Sequence, residues 1–433
     1  MLRTRVAVVA GKAARRVARF RGGGSAMPGL VVERIDPAFL AHALSGVSGG
    51  ILVVTGTNGK TTTTKMLAAL MRAHGRRVFT NPTGSNFTRG VISSMLGEVT
   101  FSGRVEADVA ILELDEWHAL QFARVVGPTH ALLLNVARDQ LDRFAEIDTT
   151  ARLLASLALQ TTTGVVLNRD DSFVARIRGQ LGSGVSVRYF GVDPAVADDL
   201  PPLHETDVRF DDDFSAPHPT PADGLLHPLT ERRFSVTFGE GSVGPIELRQ
   251  RGLAAMINAT AAMTTARMLL GDDFDEARVL EALAAVTPPF GRGEVIDAGG
   301  HPLELVLVKN PAGFTVALGT YGAEPVTTMI AINDDYADGQ DVSWLYDVSF
   351  ESLRTQGVAL TSGVRAYDMA LRLDYDDVRV EAIIPDLEEG LETFLAAYPR
   401  QPRRIFCTYT AMMRLRRLLA VRYHLANFGE EPA

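Results

Sequence analysis

Val53-Val54-Thr55-Gly56-Thr57-Asn58-Gly59-Lys60-Thr61-Thr62 joins a short β-branched run, Ile51 to Val54, to a stretch from Thr61 to Arg72 with helical spacing of apolar residues. In a strand–turn–helix of this kind the glycines let backbone N–H groups approach phosphate oxygens, and the helix N-terminus adds its positive dipole end. Lys60 is then placed for the β- and γ-phosphates of a nucleotide, and the Thr61 hydroxyl for a Mg²⁺ ion. Val54 stands where the general G-x-x-x-x-G-K-[ST] pattern has its first glycine, so the pattern alone leaves an ordinary tight turn open as the alternative.

Outward from this loop the alternation of strand and helix continues. Val109–Leu112, His130–Leu134 and Gly164–Leu167 read as buried strands separated by helical stretches, which predicts a mainly parallel sheet covered on both faces. Residues 193–232, rich in Asp and Pro, read as a surface insertion. An Ala- and Met-rich helix from Leu253 to Leu270 and a small helical segment to Val286 follow. Pro288 to Gly293 marks a domain boundary, beyond which strands are expected at 303–308, 326–332, 357–361 and 404–408. The expected fold is therefore α/β: a lead-in segment (1–45), a central P-loop domain with a mainly parallel sheet (46–292) and a smaller Rossmann-like α/β domain (293–433).

A chain of 433 residues, 46% hydrophobic and 22% charged, can bury separate cores in two or three domains. Its net charge of −9 argues against general nucleic-acid binding, which needs a basic surface. The single cysteine, Cys407, cannot form an internal disulfide, consistent with a reducing cytoplasm, and reads as a buried structural thiol. The Val6–Ala10 run is too short for a secretory core, so the chain is expected to act without cleavage of a leader. The first 32 residues carry seven basic side chains and no acidic one. A helix here would align Leu2, Val6, Val9, Ala13, Val17 and Phe20 on one face and Lys12, Arg15, Arg16 and Arg19 on another. That suits the anionic inner membrane surface, with a solvated helix docked on the body as the alternative.

The string TGTNGKTT resembles the phosphate loop of the Mur ligase superfamily, which also lacks the first glycine. Other stretches follow in the family's order. Asn81-Pro-Thr-Gly84-Ser-Asn86 resembles its substrate loop, so Asn81, Gly84 and Asn86 are implied substrate contacts. Glu113 stands where the family places a Mg²⁺-binding glutamate, a sensible oxygen ligand opposite the Thr61 hydroxyl. Asn135–Arg143 resembles the N-x-x-x-D-H-L-D segment, with Gln140 in place of a metal-binding histidine, and Leu167–Asp171 resembles the L-N-x-D-D turn. Asn258 matches an asparagine of the G-x-x-N-x-x-N-x-x-A-A helix, and Arg292 the arginine that approaches the nucleotide phosphates. The resemblance thus implies ATP and Mg²⁺, with Thr55, Gly56, Thr57, Asn58, Gly59, Lys60, Thr61 and Thr62 as the cradle and Lys60 and Glu113 as catalytic groups.

In the last third, Lys309-Asn310-Pro311-Ala312-Gly313 and the run Asn333 to Asp347 resemble the MurT family rather than amino-acid-adding members, adding Lys309 to the implied nucleotide contacts. Read without the family, five carboxylates between Asp334 and Asp347 are a functional loop or a solvated acidic turn. An EF-hand is excluded, because Tyr336 and Leu345 occupy its third and twelfth positions. The resemblance assigns Asp341 a role in trans, orienting the histidine of a partner glutaminase of the GatD type in a heterodimer. It implies ATP-dependent amidation of the D-glutamate α-carboxylate of lipid II through an acyl phosphate, in peptidoglycan synthesis. The alternatives are an amino-acid-adding or folylpolyglutamate-type ligase and a nucleotide-binding scaffold of a glutaminase. Relatives of the staphylococcal type carry a four-cysteine zinc ribbon in the central domain; this region has no cysteine, zinc is not expected, and His204, His218 and His227 read as solvated.

Overall fold

The computed structural model describes residues 2–20, 26–81, 88–137, 147–197, 221–289, 291–322 and 324–425. Gly84, Asn86, Gln140, His204 and His218 lie outside the described residues. The lead-in segment forms α1 (Leu2–Phe20), α2 (Ala26–Ile35) and α3 (Phe39–Leu44). The central domain runs β1 (Ile51–Thr55), α4 (Lys60–Ala73), β2 (Val78–Thr80), α5 (Thr88–Met95), β3 (Val109–Glu113), α6 (Glu116–Val126), β4 (His130–Leu133), α7 (Ile147–Leu159) and β5 (Gly164–Asn168). It continues through α8 (Ser172–Ala175), β6 (Ser186–Val192), α9 (Pro194–Ala197), the strands β7 (Gly224–Pro228), β8 (Arg233–Phe238) and β9 (Gly241–Glu247), and the helices α10 (Leu253–Leu270) and α11 (Glu276–Ala285).

These strands make one nine-stranded sheet in the order β2-β3-β1-β4-β5-β6-β7-β8-β9, parallel up to β7 and antiparallel beyond it. The β1 strand is buried throughout, and its residues alternate between cores, as a two-residue period demands: Ile51 and Val53 face one, Leu52 and Val54 the other. The second core is roofed by α4, α10 and α11. Helix α10 is long and apolar enough to cross a membrane by composition, yet 61% of that stretch is buried between α4 and the sheet, so it is a core helix. Part of the expected surface insertion belongs to the sheet: β7 pairs with β6, and the β7–β9 meander extends the parallel half. His227, on β7, is not freely solvated; its ring nitrogens meet Asp193 Oδ2 at 2.8 Å and Thr237 Oγ1 at 2.7 Å.

The second domain comprises β10 (Arg292–Asp297), β11 (Pro302–Leu307), α12 (Pro311–Tyr321), β12 (Thr327–Ala331), β13 (Val358–Ser362), α13 (Ala366–Tyr375), β14 (Val380–Ile384), α14 (Leu387–Ala397), β15 (Arg403–Cys407) and α15 (Tyr409–Tyr423). Its sheet has the order β10-β11-β15-β12-β13-β14, with only β10 antiparallel to its neighbour. The second sheet starts at Arg292, one residue before the expected boundary. Cys407 is fully buried in β15, where desolvation drives its thiol pKa far above the usual value, so it is a packing residue and not a nucleophile.

Phe314 of α12 is the centre of one face of this domain, with ring centroids 5.0 Å from Phe350, 5.4 Å from Phe406 and 6.3 Å from Trp344. It has no solvent exposure, so Phe314→Ala should cost about 3–5 kcal/mol of stability, read as a fall in the denaturation midpoint at unchanged slope. A loss below about 1 kcal/mol would mean that the cluster repacks around the cavity.

Candidate active site

The loop after β1 lies at a topological switch point, since β3 and β4 flank β1 on opposite sides and the chain departs in both directions from there. Gly56 and Gly59 take φ of 129° and 88°, and a Cβ on Gly59 would sit 2.3 Å from Asn258 Oδ1. Both glycines therefore serve conformation and close approach. The loop is braced by the turn after β4: Asn58 N–H donates to Asn135 Oδ1 at 2.8 Å, Asn135 Nδ2 donates to Asn58 O at 3.0 Å, and Thr57 N–H donates to Asn135 O at 3.0 Å. That turn is braced in its own right. Asp171 accepts from Val136 N–H at 2.7 Å while capping α8, and Asn168 Nδ2 donates to Leu134 O at 2.8 Å. The L-N-x-D-D turn thus acts by holding the strand end that holds the phosphate loop.

Lys60 begins α4 almost fully buried. Its Nζ donates to Gly56 O at 2.6 Å and Thr57 O at 3.3 Å, and pairs with Glu116 Oε1 at 3.3 Å. The Thr61 hydroxyl donates to Glu113 Oε1 at 2.7 Å. Glu113 is brought there by register, as the last residue of β3 paired beside Val54 of β1. Asn81, an expected substrate contact, braces Glu113: its Oδ1 accepts from Glu113 N–H at 2.9 Å and its Nδ2 donates to Glu113 O at 2.8 Å. Glu116, Asn135 and Asp171 are site residues that the sequence reading left unassigned.

A cavity of about 200 Å³ opens from the loop into the junction of the two domains, lined by Asn58, Thr62, Asn258, Arg292 and Lys309 among others. Of the implied nucleotide contacts it thus gathers Asn58, Gly59, Thr62, Asn258, Arg292 and Lys309, from both halves of the sequence, while Thr55, Gly56, Thr57, Lys60 and Thr61 lie outside its lining. Arg292 is lowered in pKa by desolvation, partly offset by the charge of Glu113, and with a guanidinium's high starting value it stays cationic. Asn310 joins the domains: its Nδ2 donates to Asn58 Oδ1 at 3.1 Å while its Oδ1 caps α12 through Gly313 N–H at 2.7 Å. At the cavity's far end, buried Arg404 spans Glu304 and Glu324 at 2.7 and 2.6 Å, and Glu324 also pairs with Arg251 from the central domain.

The loop Asn333 to Asp347 leaves the carboxyl end of β12, one strand removed from the Lys309–Gly313 loop at the end of β11. It is not a uniformly solvated acidic turn. Asp338 is buried and accepts from Thr410 N–H at 2.8 Å, and Asp334 pairs with Arg365 at 2.7 Å. Asp341, by contrast, is exposed, and hydrogen bonds from the Ser343 hydroxyl and amide hold its carboxyl below the usual range. Three residues on, Trp344 is buried against Phe314, which fixes the exposed carboxylate to a rigid base. Among the described residues no group of three or more His, Cys, Asp or Glu side chains could hold a metal by itself. Thr61 and Glu113 nevertheless present two hard oxygens side by side, the donor set that suits a Mg²⁺ whose other ligands come from phosphate and water.

Residues 54–266 match the Mur ligase middle domain. The whole chain is similar in fold to MurF from Acinetobacter baumannii, with a TM-score of 0.68 and 18% identity over 92% of this chain and 81% of that one. Fold and loop together define a ligase subunit of the Mur type. Residues 307–412 match the MurT ligase C-terminal domain. The chain is 29% identical to the subunit MurT of lipid II isoglutaminyl synthase (glutamine-hydrolyzing) from Streptococcus pneumoniae, over 97% of this chain and 98% of that protein. It is 27% identical to the subunit of the same name from Staphylococcus aureus, over 88% and 90%. Over nearly its whole length the chain is thus similar to MurT subunits, with the Mur ligase middle domain followed by the MurT C-terminal domain.

The Gly59 contact gives a direct test of the cradle. Gly59→Ala forces a left-handed residue with a Cβ into Asn258, costing about 1–2 kcal/mol in backbone strain alone. Nucleotide affinity measured by calorimetry should fall by roughly tenfold or more, and an unchanged dissociation constant would show that the loop shifts freely.

Proposed function

We propose that the chain is the ligase subunit of a lipid II isoglutaminyl synthase, amidating the D-glutamate α-carboxylate of the lipid II stem peptide at the expense of ATP. The observation that carries this reading is the phosphate loop itself, with Lys60 and the Thr61–Glu113 pair at its end, opening through Asn58, Gly59 and Thr62 onto a cavity shared with Arg292 and the MurT-type Lys309–Gly313 loop. Thr61 and Glu113 would hold Mg²⁺, which when bound would supply neutralisation of phosphate charge. Lys60 exchanges its carbonyl and Glu116 contacts for phosphate oxygens, and Arg292, a cavity-lining cation within reach of the Glu113 charge, offsets charge that builds on the transferring group. The substrate carboxylate attacks the γ-phosphorus, giving an acyl phosphate and ADP. Ammonia then displaces phosphate to give D-isoglutamine. Closure of the second domain over the cavity through Asn310 and Asn58 limits access of water, which would hydrolyse the acyl phosphate.

The ammonia is supplied by a partner glutaminase of the GatD type, toward which Asp341 is presented. The complex works at the cytoplasmic face of the membrane, where its lipid-linked substrate resides. The test is purification with and without the glutaminase, followed by assay of lipid II with ATP and either glutamine or ammonium. Amidation with glutamine only in the complex, and with ammonium in both, is expected. Turnover with a free amino acid would favour an amino-acid-adding ligase, and ATP-independent amidation would reduce the chain to a scaffold.

A further inference from the structure

Helix α1 is attached to the body by its small residues. Thr4, Ala7, Val8, Gly11 and Ala18 are buried, and a Cβ on Gly11 would meet Val32 Cγ2 at 2.4 Å and Leu96 Cδ2 at 2.8 Å, so only glycine lets the helix lie this close. Four of the larger apolar residues point the other way. Leu2, Val6, Val9 and Val17 are 79%, 51%, 58% and 46% exposed, and Ala13 lies among them. At 3.6 residues per turn these five fall within an arc of roughly 80°. A helix packed only for solubility would bury its valines and show its alanines. Exposed Arg5 and Arg16 border one edge of the stripe, and Lys12, on the same side, lies 5.3 Å from the ring of Phe101, itself 75% exposed on the neighbouring turn.

We infer that this outer face of α1, with Phe101 at its border, is a membrane-seating surface for an anionic bilayer: the apolar stripe enters the headgroup–acyl boundary and the flanking cations meet lipid phosphates. The charge distribution selects this occupant. All seven charged side chains before Glu33 are basic, in a chain whose net charge is −9. A second copy is disfavoured, because a twofold contact of α1 with itself brings Arg5 and Arg16 of one helix against those of the other. A lipid-linked substrate supplies an independent reason for such a seat, and that support alone rests on the proposed function; the stripe and its charged border do not.

Flotation of the purified complex with phosphatidylcholine vesicles, alone or mixed with phosphatidylglycerol and cardiolipin, tests the assignment. Binding to the anionic vesicles only, weakening as salt is raised, is expected. Val9→Asp, at an exposed position, should abolish flotation, and the pair Arg5→Glu and Arg16→Glu should weaken it by roughly tenfold or more, while ATP-dependent amidation of a detergent-dispersed substrate stays at the wild-type rate. Absence of flotation by the wild-type complex, or equal flotation of Val9→Asp, overturns the inference. So does release of the glutaminase by Val9→Asp without loss of vesicle binding, which would make the stripe a protein interface. Vesicle binding requires no turnover, so this result stands apart from the success or failure of the amidation assay.

Discussion

Replacing Lys60 by alanine should lower ATP-dependent amidation by roughly 10³-fold or more, the scale on which a preorganised cation at a transferring phosphoryl group acts. Lys60 Nζ is held inside the loop by the carbonyls of Gly56 and Thr57, and by Glu116, so it is in position before any phosphate arrives. The single substitution confounds two effects. Glu116 is almost fully buried, and taking away its cation leaves a charge whose burial costs about 3–5 kcal/mol. Combining Lys60→Met with Glu116→Gln removes both charges. The double variant should recover the melting temperature of the wild type but none of its turnover. If amidation returned along with stability, the lysine would be a structural counter-ion and the phosphate role would pass to Arg292.

The phosphate loop was legible because its information is local: the spacing of Gly56, Gly59, Lys60 and Thr61 sets strand, turn and helix within one stretch. Glu113 and Arg292 were legible only through the family resemblance; sheet register sets Glu113 beside the phosphate loop, and the start of β10 brings Arg292 to the cavity. What lay beyond the sequence was non-local pairing. Glu116 meets Lys60 across 56 residues, and Asn135 meets Asn58 across 77; the motifs that contain Asn58 and Asn135 mark each segment but not that the two pair. The Asp- and Pro-rich stretch concealed β7, a half-buried strand that contributes only short alternation. Periodicity set Leu2, Val6, Val9, Ala13 and Val17 on one face of α1 but could not say which face docks, because the docked face is the one with Gly11, Ala7 and Ala18, where the helix comes close to Val32 and Leu96.

Asp341→Asn should abolish glutamine-dependent amidation while leaving the ammonium-dependent reaction intact. The carboxylate is exposed, held ionised by Ser343, and based on buried Trp344, so its replacement by an isosteric amide changes charge without disturbing the fold. In a histidine-assisted nucleophilic site the acid fixes the imidazole tautomer and stabilises its charged form; converting that acid to an amide lowers turnover by roughly 10⁴-fold in the serine protease case. A loss of that order in glutaminase activity, with ATP affinity and ammonium-driven amidation unchanged, is the expected signature of an acid acting in trans. Two outcomes would place the effect elsewhere. Equal loss with ammonium would put Asp341 in the ligase reaction, contrary to its position on a separate loop of the second sheet. Loss of complex formation, read by light scattering, would make it a docking residue. Asp338 provides the contrast: its carboxyl is buried, raised in pKa by desolvation and bound to Thr410, so Asp338→Asn should alter stability and not the nitrogen donor.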